Sequence, residues 1–360
     1  MRLATRAAAV AAAAAVVTAG SAAGAAVRTT SSRHRTAVAG ARTGTRLVRL
    51  SAVGDTILGN TPAVAPDPAA YLHPIRRALR WQAEIRFGNL EGTLTTATTS
   101  KCHGSTDCFA FRNPPDFARA LARTGFTVLN DANNHSHDFG AAGLKQTIAS
   151  IHRAGMSQTG LPGEITVVKA GSTRVALVAF APYSNTADLL DLPAARSLIE
   201  RADRKAGLVV VYMHAGAEGS GADHVTGREE YFDGEDRGNP ERFAHMAIRA
   251  GADLVIASGP HVMRGMQFFR RRLIAYSLGN FANYHNFSGG GDLVHSGILH
   301  VSLTPDGRFV SAQLVSVRLA ADGRATPGAG SIDFVRRLSK QDFGASAARF
   351  SRDGVITRPR

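Results

Sequence analysis

The run LNDANNHSHDFG at residues 129–140 places Asn130, Asp131, Asn133, Asn134, His135, His137 and Asp138 directly after a short apolar segment, 126–129. Polar side chains this dense at a strand end are poor for folding, because each must find a partner or stay wet. They suit chemistry. Functional sites in α/β proteins gather at the carboxyl ends of strands. Asn offers a metal an oxygen, His offers an imidazole near its working pKa, and Asp offers a carboxylate to orient that imidazole. Part of the cluster also reads as turn chemistry, with Asp138 capping a helix expected over 140–154 and the Asn residues in left-handed turns.

The same pattern recurs along the chain. Apolar runs end in Gly54-Asp55, in Gly88-Asn89-Leu90-Glu91-Gly92, in His214-Ala-Gly-Ala-Glu218, in Ser258-Gly259-Pro260-His261 and in Tyr276-Ser-Leu-Gly-Asn280-Phe281. One Gly-Asp is an ordinary turn and one terminal His an ordinary structural residue. Repetition at successive strand ends points to a shared site. Asp55, Glu91, Asn134, His214 and His261 supply hard oxygen and borderline nitrogen donors without a thiolate. That set suits one or two divalent ions of the Mn, Fe, Zn or Mg type. Two close ions need a bridging carboxylate, and Glu91 is the candidate. Such a centre activates water and neutralises charge on a phosphate-like transition state. His135 is the candidate acid, with Asp138 or Asp131 orienting it.

Alternating elements must position these groups. Strands are expected at 47–53, 84–87, 127–129, 165–169, 175–180, 208–213, 254–257, 267–269, 273–276, 298–303 and 309–317. Helices are expected at 70–82, 115–124, 140–154, 193–206 and 240–250. Apolar runs of four to six residues between helices imply strands buried on both faces. The last third is mostly strand, with Asp306-Gly307 a hairpin turn. The fold class is therefore α/β in layers rather than one doubly wound sheet. The domain is expected over 47–320, with 321–360 a peripheral C-terminal tail.

Ahead of it, Arg2 and Arg6 precede an Ala/Val run and small residues near 23–26, a secretory signal over 1–26. An uncleaved anchor is the rival reading. Residues 27–46 read as a basic disordered linker. The formal charge of +14 is 42 basic minus 28 acidic residues. Seven of those basic residues (Arg2, Arg6, Arg28, Arg33, Arg35, Arg42 and Arg46) lie before Leu47, where there are no acids, so the remainder carries 35 minus 28, or +7. No basic stripe is interleaved with aromatics, so no nucleic-acid partner is expected. Cys102 and Cys108 bracket five residues, and in an exported protein they read as a disulfide.

The order GD, NLEG, ANNHxxDFG, HxGxE, PHV and YSLGNF resembles the CapA family associated with poly-γ-glutamate capsule synthesis, itself similar to calcineurin-like metallophosphoesterases. The resemblance covers about 47–303. It implies a metallophosphatase-like four-layer α/β/β/α sandwich, an exported and envelope-associated role, and Asp55, Glu91, Asn134, His214 and His261 as metal ligands with His135 as the acid. Two positions depart from the family. Ala215 stands where the family has Trp, which alters a pocket wall. Gly259 stands where the family has the first His of His-Pro-His, so one expected imidazole is missing, with His224, His285 or His295 as candidate replacements.

These observations set the expectation of a secreted or envelope-associated metal-dependent hydrolase in capsular polymer metabolism. Its substrate would be an anionic envelope polymer or a phosphoester, and a membrane-bound synthesis complex its partner. The alternative is a non-catalytic accessory or polymer-binding protein on the same fold. A sugar- or peptide-binding module has little support, because Trp81 is the sole Trp.

Overall fold

Two sheets form the centre of the protein, described in a computed structural model for residues 46–105, 107–285 and 290–360. The signal segment, and the linker up to residue 45, lie outside the described residues. The first sheet has ten strands. Val48–Ile57 lies near its middle, with Ile85–Leu90, Val128–Asn130 and Ser157–Thr159 following in parallel on one side. His295–Leu303 and Phe309–Leu319 continue it antiparallel on the other side. The second sheet has seven strands, with Thr173–Ala181, Leu208–His214, Leu254–Ser258 and Arg272–Ala275 in parallel order.

Strand periodicity explains the layers. Leu208, Val210 and Tyr212 face Leu50, Phe87 and Leu299 in a core between the sheets. The alternate residues Val209, Val211 and Met213 pack instead against Ile199 and Phe243 of the helices Leu192–Lys205 and Pro240–Arg249. On the far face of the first sheet, Val53 and Leu90 meet Leu79, Leu121 and Ile151 from the other helices. The order is helix, sheet, sheet, helix, the four-layer sandwich expected from the sequence.

Local signals set the helix starts. Asp191 accepts from the Ala194 amide and Asn239 from the Arg242 amide, each followed by proline in the first turn. The helix expected over 70–82 is broken into Pro68–Tyr71, a 3-10 turn at His73–Ile75 and Arg76–Arg80. Pro74 has no amide proton to continue the ladder. The apolar face survives, with Leu72, Ile75 and Leu79 buried.

The peripheral tail expected from 321 is instead part of the sandwich. Helix Ser331–Phe343 places Phe334, Val335 and Leu338 in the core between the sheets. Val355–Thr357 pairs with Phe309–Leu319, and Ile356 is buried. Apolar residues at helical spacing close an edge of the sandwich that would otherwise expose both sheets. The turn expected at Asp306-Gly307 joins the two long antiparallel strands.

One glycine fixes the geometry of the site. A Cβ on Gly54 would lie 1.9 Å from the Gly279 carbonyl oxygen. Without it, the 276–280 segment closes on the first strand, the Asp55 amide donates to Gly279 O at 3.0 Å, and Asp55 sits in register with Asn280.

Candidate metal centre

Neighbouring strand ends deliver the site. In the first sheet, Asp55 pairs in register with Asn89, and Asn89 with Asn130. In the second, His214 pairs with Ser258. The two sheets meet at these ends. Asp55 Oδ1 accepts from Asn89 Nδ2 at 2.8 Å and from the Ser258 hydroxyl, and Oδ2 accepts from the Gly259 amide at 3.3 Å. Asp55, Glu91 and His214 are all fully buried, and one ligand atom from each lies within 4.8 Å of the others. His261 completes the cluster. Its Nδ1 is 3.3 Å from Asp55 Oδ2, and its Nε2 is 3.7 Å from Glu91 Oε1.

The backbone of His261 has φ +61°. Few residues other than glycine adopt this conformation, and histidine is among those that do. Asn280 Oδ1, 2.9 Å from Nδ1, helps to fix the ring. The 277–281 segment therefore orients a site residue.

Glu218 is the residue that sequence reasoning missed. Its Oε2 lies 3.5 Å from His261 Nε2, and its Oε1 lies 2.8 Å from Nη1 of the buried Arg237. Its position four residues after His214 was legible in the HxGxE motif. Arg237 comes from an irregular loop and carried no such signal.

Asn134 and His135 lie in a turn tied to the cluster through Asn133 and Asn89. Asn133, bonded to Asn89 Oδ1 and Leu90 O, anchors the turn and accepts the His135 amide at 2.9 Å. Asn134 Oδ1 is buried without a hydrogen-bond partner. His135 Nδ1 lies 2.8 Å from Asp138 Oδ2, and Asp138 Oδ1 meets Lys101 Nζ at 2.7 Å. Asp138 is therefore the orienting carboxylate. It is not the helix cap: Phe139 occupies that position, with no side-chain cap. Asp131 is buried near Gln158 and Glu164. Cys102 and Cys108 are bonded, with Cα atoms 5.5 Å apart, immediately after Lys101.

No replacement for the missing imidazole joins the cluster among the described residues. His224 pairs with Asp342, His295 stacks on Phe334, and His285 lies against Tyr284. Ala215 is buried with the helix-side core of the second sheet rather than lining a pocket.

The charges are strongly coupled. Burial works against ionisation of Asp55, yet His261, His214 and Ser258 outweigh it and hold the carboxyl at about 2. Burial pushes Glu91 well above the usual carboxylate range, reinforced by Asp55 and Glu218. Burial takes His214 down to about 3, against the pull of Asp55. Glu218 is held at about 2, because His261 and Arg237 outweigh its burial. His261 is raised well above its ordinary value, since the Glu91, Asp55 and Glu218 carboxylates overcome burial.

Glu91 Oε1 and His214 Nε2 face each other at 3.5 Å without a hydrogen bond, and Glu91 Oε2 has no hydrogen-bond partner. Buried acceptors without donors, converging from separate strands, fit a divalent cation. The absence of thiolate keeps the donor set within the Mn, Fe, Zn and Mg range.

The profile of the family described as Bacterial capsule synthesis protein PGA_cap matches residues 49–285. The chain belongs to that family. Family relatives include the PGA biosynthesis protein CapA of Bacillus subtilis (strain 168), 27% identical over 254 residues, covering 64% of this chain and 62% of that protein. The capsule biosynthesis protein CapA of Bacillus anthracis is 32% identical over 183 residues, covering 45% of this chain and 41% of that protein. The matched regions thus span about three fifths and two fifths of these relatives. Among solved structures, a 5'-nucleotidase precursor from Thermus thermophilus is similar at 13% identity and TM-score 0.42, covering 82% of this chain and 59% of that one. A purple acid phosphatase from yellow lupin seeds is similar at 10% identity and TM-score 0.36, covering 79% of this chain and 53% of that one.

Proposed function

We propose that the protein is an exported, divalent-metal-dependent hydrolase acting on an anionic cell-envelope polymer of the poly-γ-glutamate type, or on a phosphoester in the metabolism of such a polymer. One observation carries the reading: Glu91, whose buried oxygens accept no hydrogen bond, and His214 converge with Asp55 and His261 at the junction of the two sheets. Membership of a capsule synthesis family supports the polymer context. The signal-like N-terminal composition supports export, and a membrane-bound synthesis complex is the partner we propose.

Asp55, Glu91, His214 and His261 would hold the ion, and Asn134, whose Oδ1 is buried without a hydrogen-bond partner, is a further candidate ligand. A bound divalent ion supplies an activated water and neutralises developing negative charge. The chain's own groups do the rest. Asn89 and Ser258 fix Asp55, and Asn280 fixes His261. The His135–Asp138 bond leaves Nε2 to move a proton at the leaving group. Burial lowers the His135 pKa against the pull of Asp138, so the ring rests neutral at neutral pH. An anionic substrate beside it would draw that pKa back up.

The test is metal analysis of the purified protein, with turnover of a generic phosphodiester and shortening of poly-γ-glutamate measured in parallel. Metal uptake with hydrolysis of either supports the reading. A folded protein that takes up no metal and hydrolyses neither opposes it. Gly259, in place of an expected imidazole, favours the second reading, an accessory protein that binds polymer without turnover. That reading expects polymer binding at unchanged chain length.

A further inference from the structure

We propose that this chain builds a one-metal centre in which the Arg237 guanidinium takes the electrostatic place of a second ion. The inference rests on the metal reading above and specifies its stoichiometry.

Gly259 is not simply a lost ligand. Its φ is +116°, and a Cβ there would meet Ala215 N at 3.2 Å and the His214 ring at 3.3 Å. The backbone has turned so that its amide donates to Asp55 Oδ2 instead. With the replacement histidines engaged elsewhere, the second imidazole that a two-ion site would use is missing.

A cation is nevertheless built in. Arg237 is 1% exposed, and its Nη1 lies 2.8 Å from Glu218 Oε1. The other oxygen of Glu218 faces His261, which faces Glu91. The guanidinium is thus in series with the cluster through Glu218 and His261. Its Nε and Nη2 are buried without hydrogen-bond partners. A guanidinium does not lose its proton in a protein, so this charge is permanent.

The scaffold around it is held by backbone hydrogen bonds and an ion pair. The Arg237 amide donates to Glu230 O at 2.8 Å, and its carbonyl accepts from the Gly216 amide at 3.0 Å. Glu230 is gripped through both oxygens by the buried Arg264, at 3.1 and 2.6 Å. The Tyr183 ring lies 5.9 Å from the guanidinium carbon.

Charge balance completes the argument. With an ion bound, Asp55 and Glu91 would bring two buried negative charges and the part-buried Glu218 a third. One divalent ion and one guanidinium neutralise them when both histidines ligate as neutral rings. A second divalent ion would leave two uncompensated positive charges in a buried site.

The test uses the full chain, stripped with EDTA and titrated with Mn²⁺ by calorimetry. Bound metal is read by mass spectrometry and electron paramagnetic resonance. Wild type should bind one ion per chain, with the spectrum of an isolated Mn²⁺. Arg237→Gln should tighten Mn²⁺ binding about tenfold or admit a second ion, because it removes a repelling charge and releases Glu218. Arg237→Lys should keep one ion at near wild-type affinity. A wild type with two coupled ions leaves the metal reading standing and overturns this inference. So does a folded Arg237→Gln that binds one ion no tighter than wild type. If Arg237→Gln does not fold, the wild-type stoichiometry and the Lys variant decide. A wild type that binds no ion overturns the metal reading itself, and this inference with it.

Discussion

Glu91→Gln separates a metal centre from a merely polar core. The side chain is fully buried, and its Oε1 lies 3.5 Å from His214 Nε2 and 3.7 Å from His261 Nε2. Glutamine keeps the volume while removing one charge and one strong ligand oxygen. The ligand atoms of Asp55, Glu91 and His214 lie within 4.8 Å of one another. Unit charges at such a spacing interact by about 3 kcal/mol at an effective dielectric of 20. A divalent ion in contact feels at least that attraction from each carboxylate, so losing one should weaken metal binding about a hundredfold. At a metal concentration of about 100 times the wild-type Kd, wild type gains roughly 2.7 kcal/mol of stability and the variant about 0.4. Unfolding entropy of about 2 cal/mol/K per residue over residues 46–360 converts these to about 4 °C and under about 1 °C in Tm. The assay is thermal melting of EDTA-stripped protein titrated with Mn²⁺, with bound metal measured alongside. A Gln variant that binds Mn²⁺ within about threefold of wild type would refute the reasoning.

His135→Ala should keep its metal and its melting temperature while turnover falls about 10²–10⁴-fold, the usual share of a general acid; loss of metal would make it a ligand instead. Asn280→Ala should leave the protein folded and weaken Mn²⁺ binding, because the ring of His261 loses its 2.9 Å partner; unchanged affinity would return Asn280 to a structural role. His300, buried beside Ser51 and stacked on Trp81, is held down at about 4 by burial. A depressed folded pKa gives stability that is complete above about 6.5 and lost as pH falls through 4, on the order of 3 kcal/mol. Urea unfolding between pH 7 and pH 4.5 should therefore show a shallower loss for His300→Gln than for wild type, and equal losses would contradict the assignment. Thiol mapping of protein from an oxidising compartment should find Cys102 and Cys108 bonded, and two free thiols would count against it.

Much of the fold was legible because its signals are short-range. The apolar runs at 208–213 and 254–257 announce strands buried on both faces, and Asp191 and Asn239 with their prolines announce helix starts. Asp306-Gly307 announces a hairpin. Strand-end residues followed from the same logic: Asp55, Glu91, His214 and His261 each sit where an apolar run stops. What the sequence by itself determined is therefore the set of elements, most of their ends, and most of the groups offered there.

Only the tertiary structure decided which of those groups meet. Asp55 and Glu91 belong to the first sheet and its edge, His214 and His261 to the second, and no local preference encodes how two sheets stack. Gly54 shows the dependence, since its missing side chain matters only once Gly279 is packed upon it. Asp138 reads locally as a cap and turns instead to His135 and Lys101, which the fold places beside it. Arg237 lies in a loop without periodicity, and its role exists only through Glu218, Glu230 and Arg264, brought together from different parts of the chain. The helix at Ser331–Phe343 looks peripheral in sequence because its apolar residues are few, yet they close the sandwich when both sheets are present to receive them. Backbone propensity acts over a few residues. Burial and charge act through whatever the packed chain places nearby, and that is where this site was made.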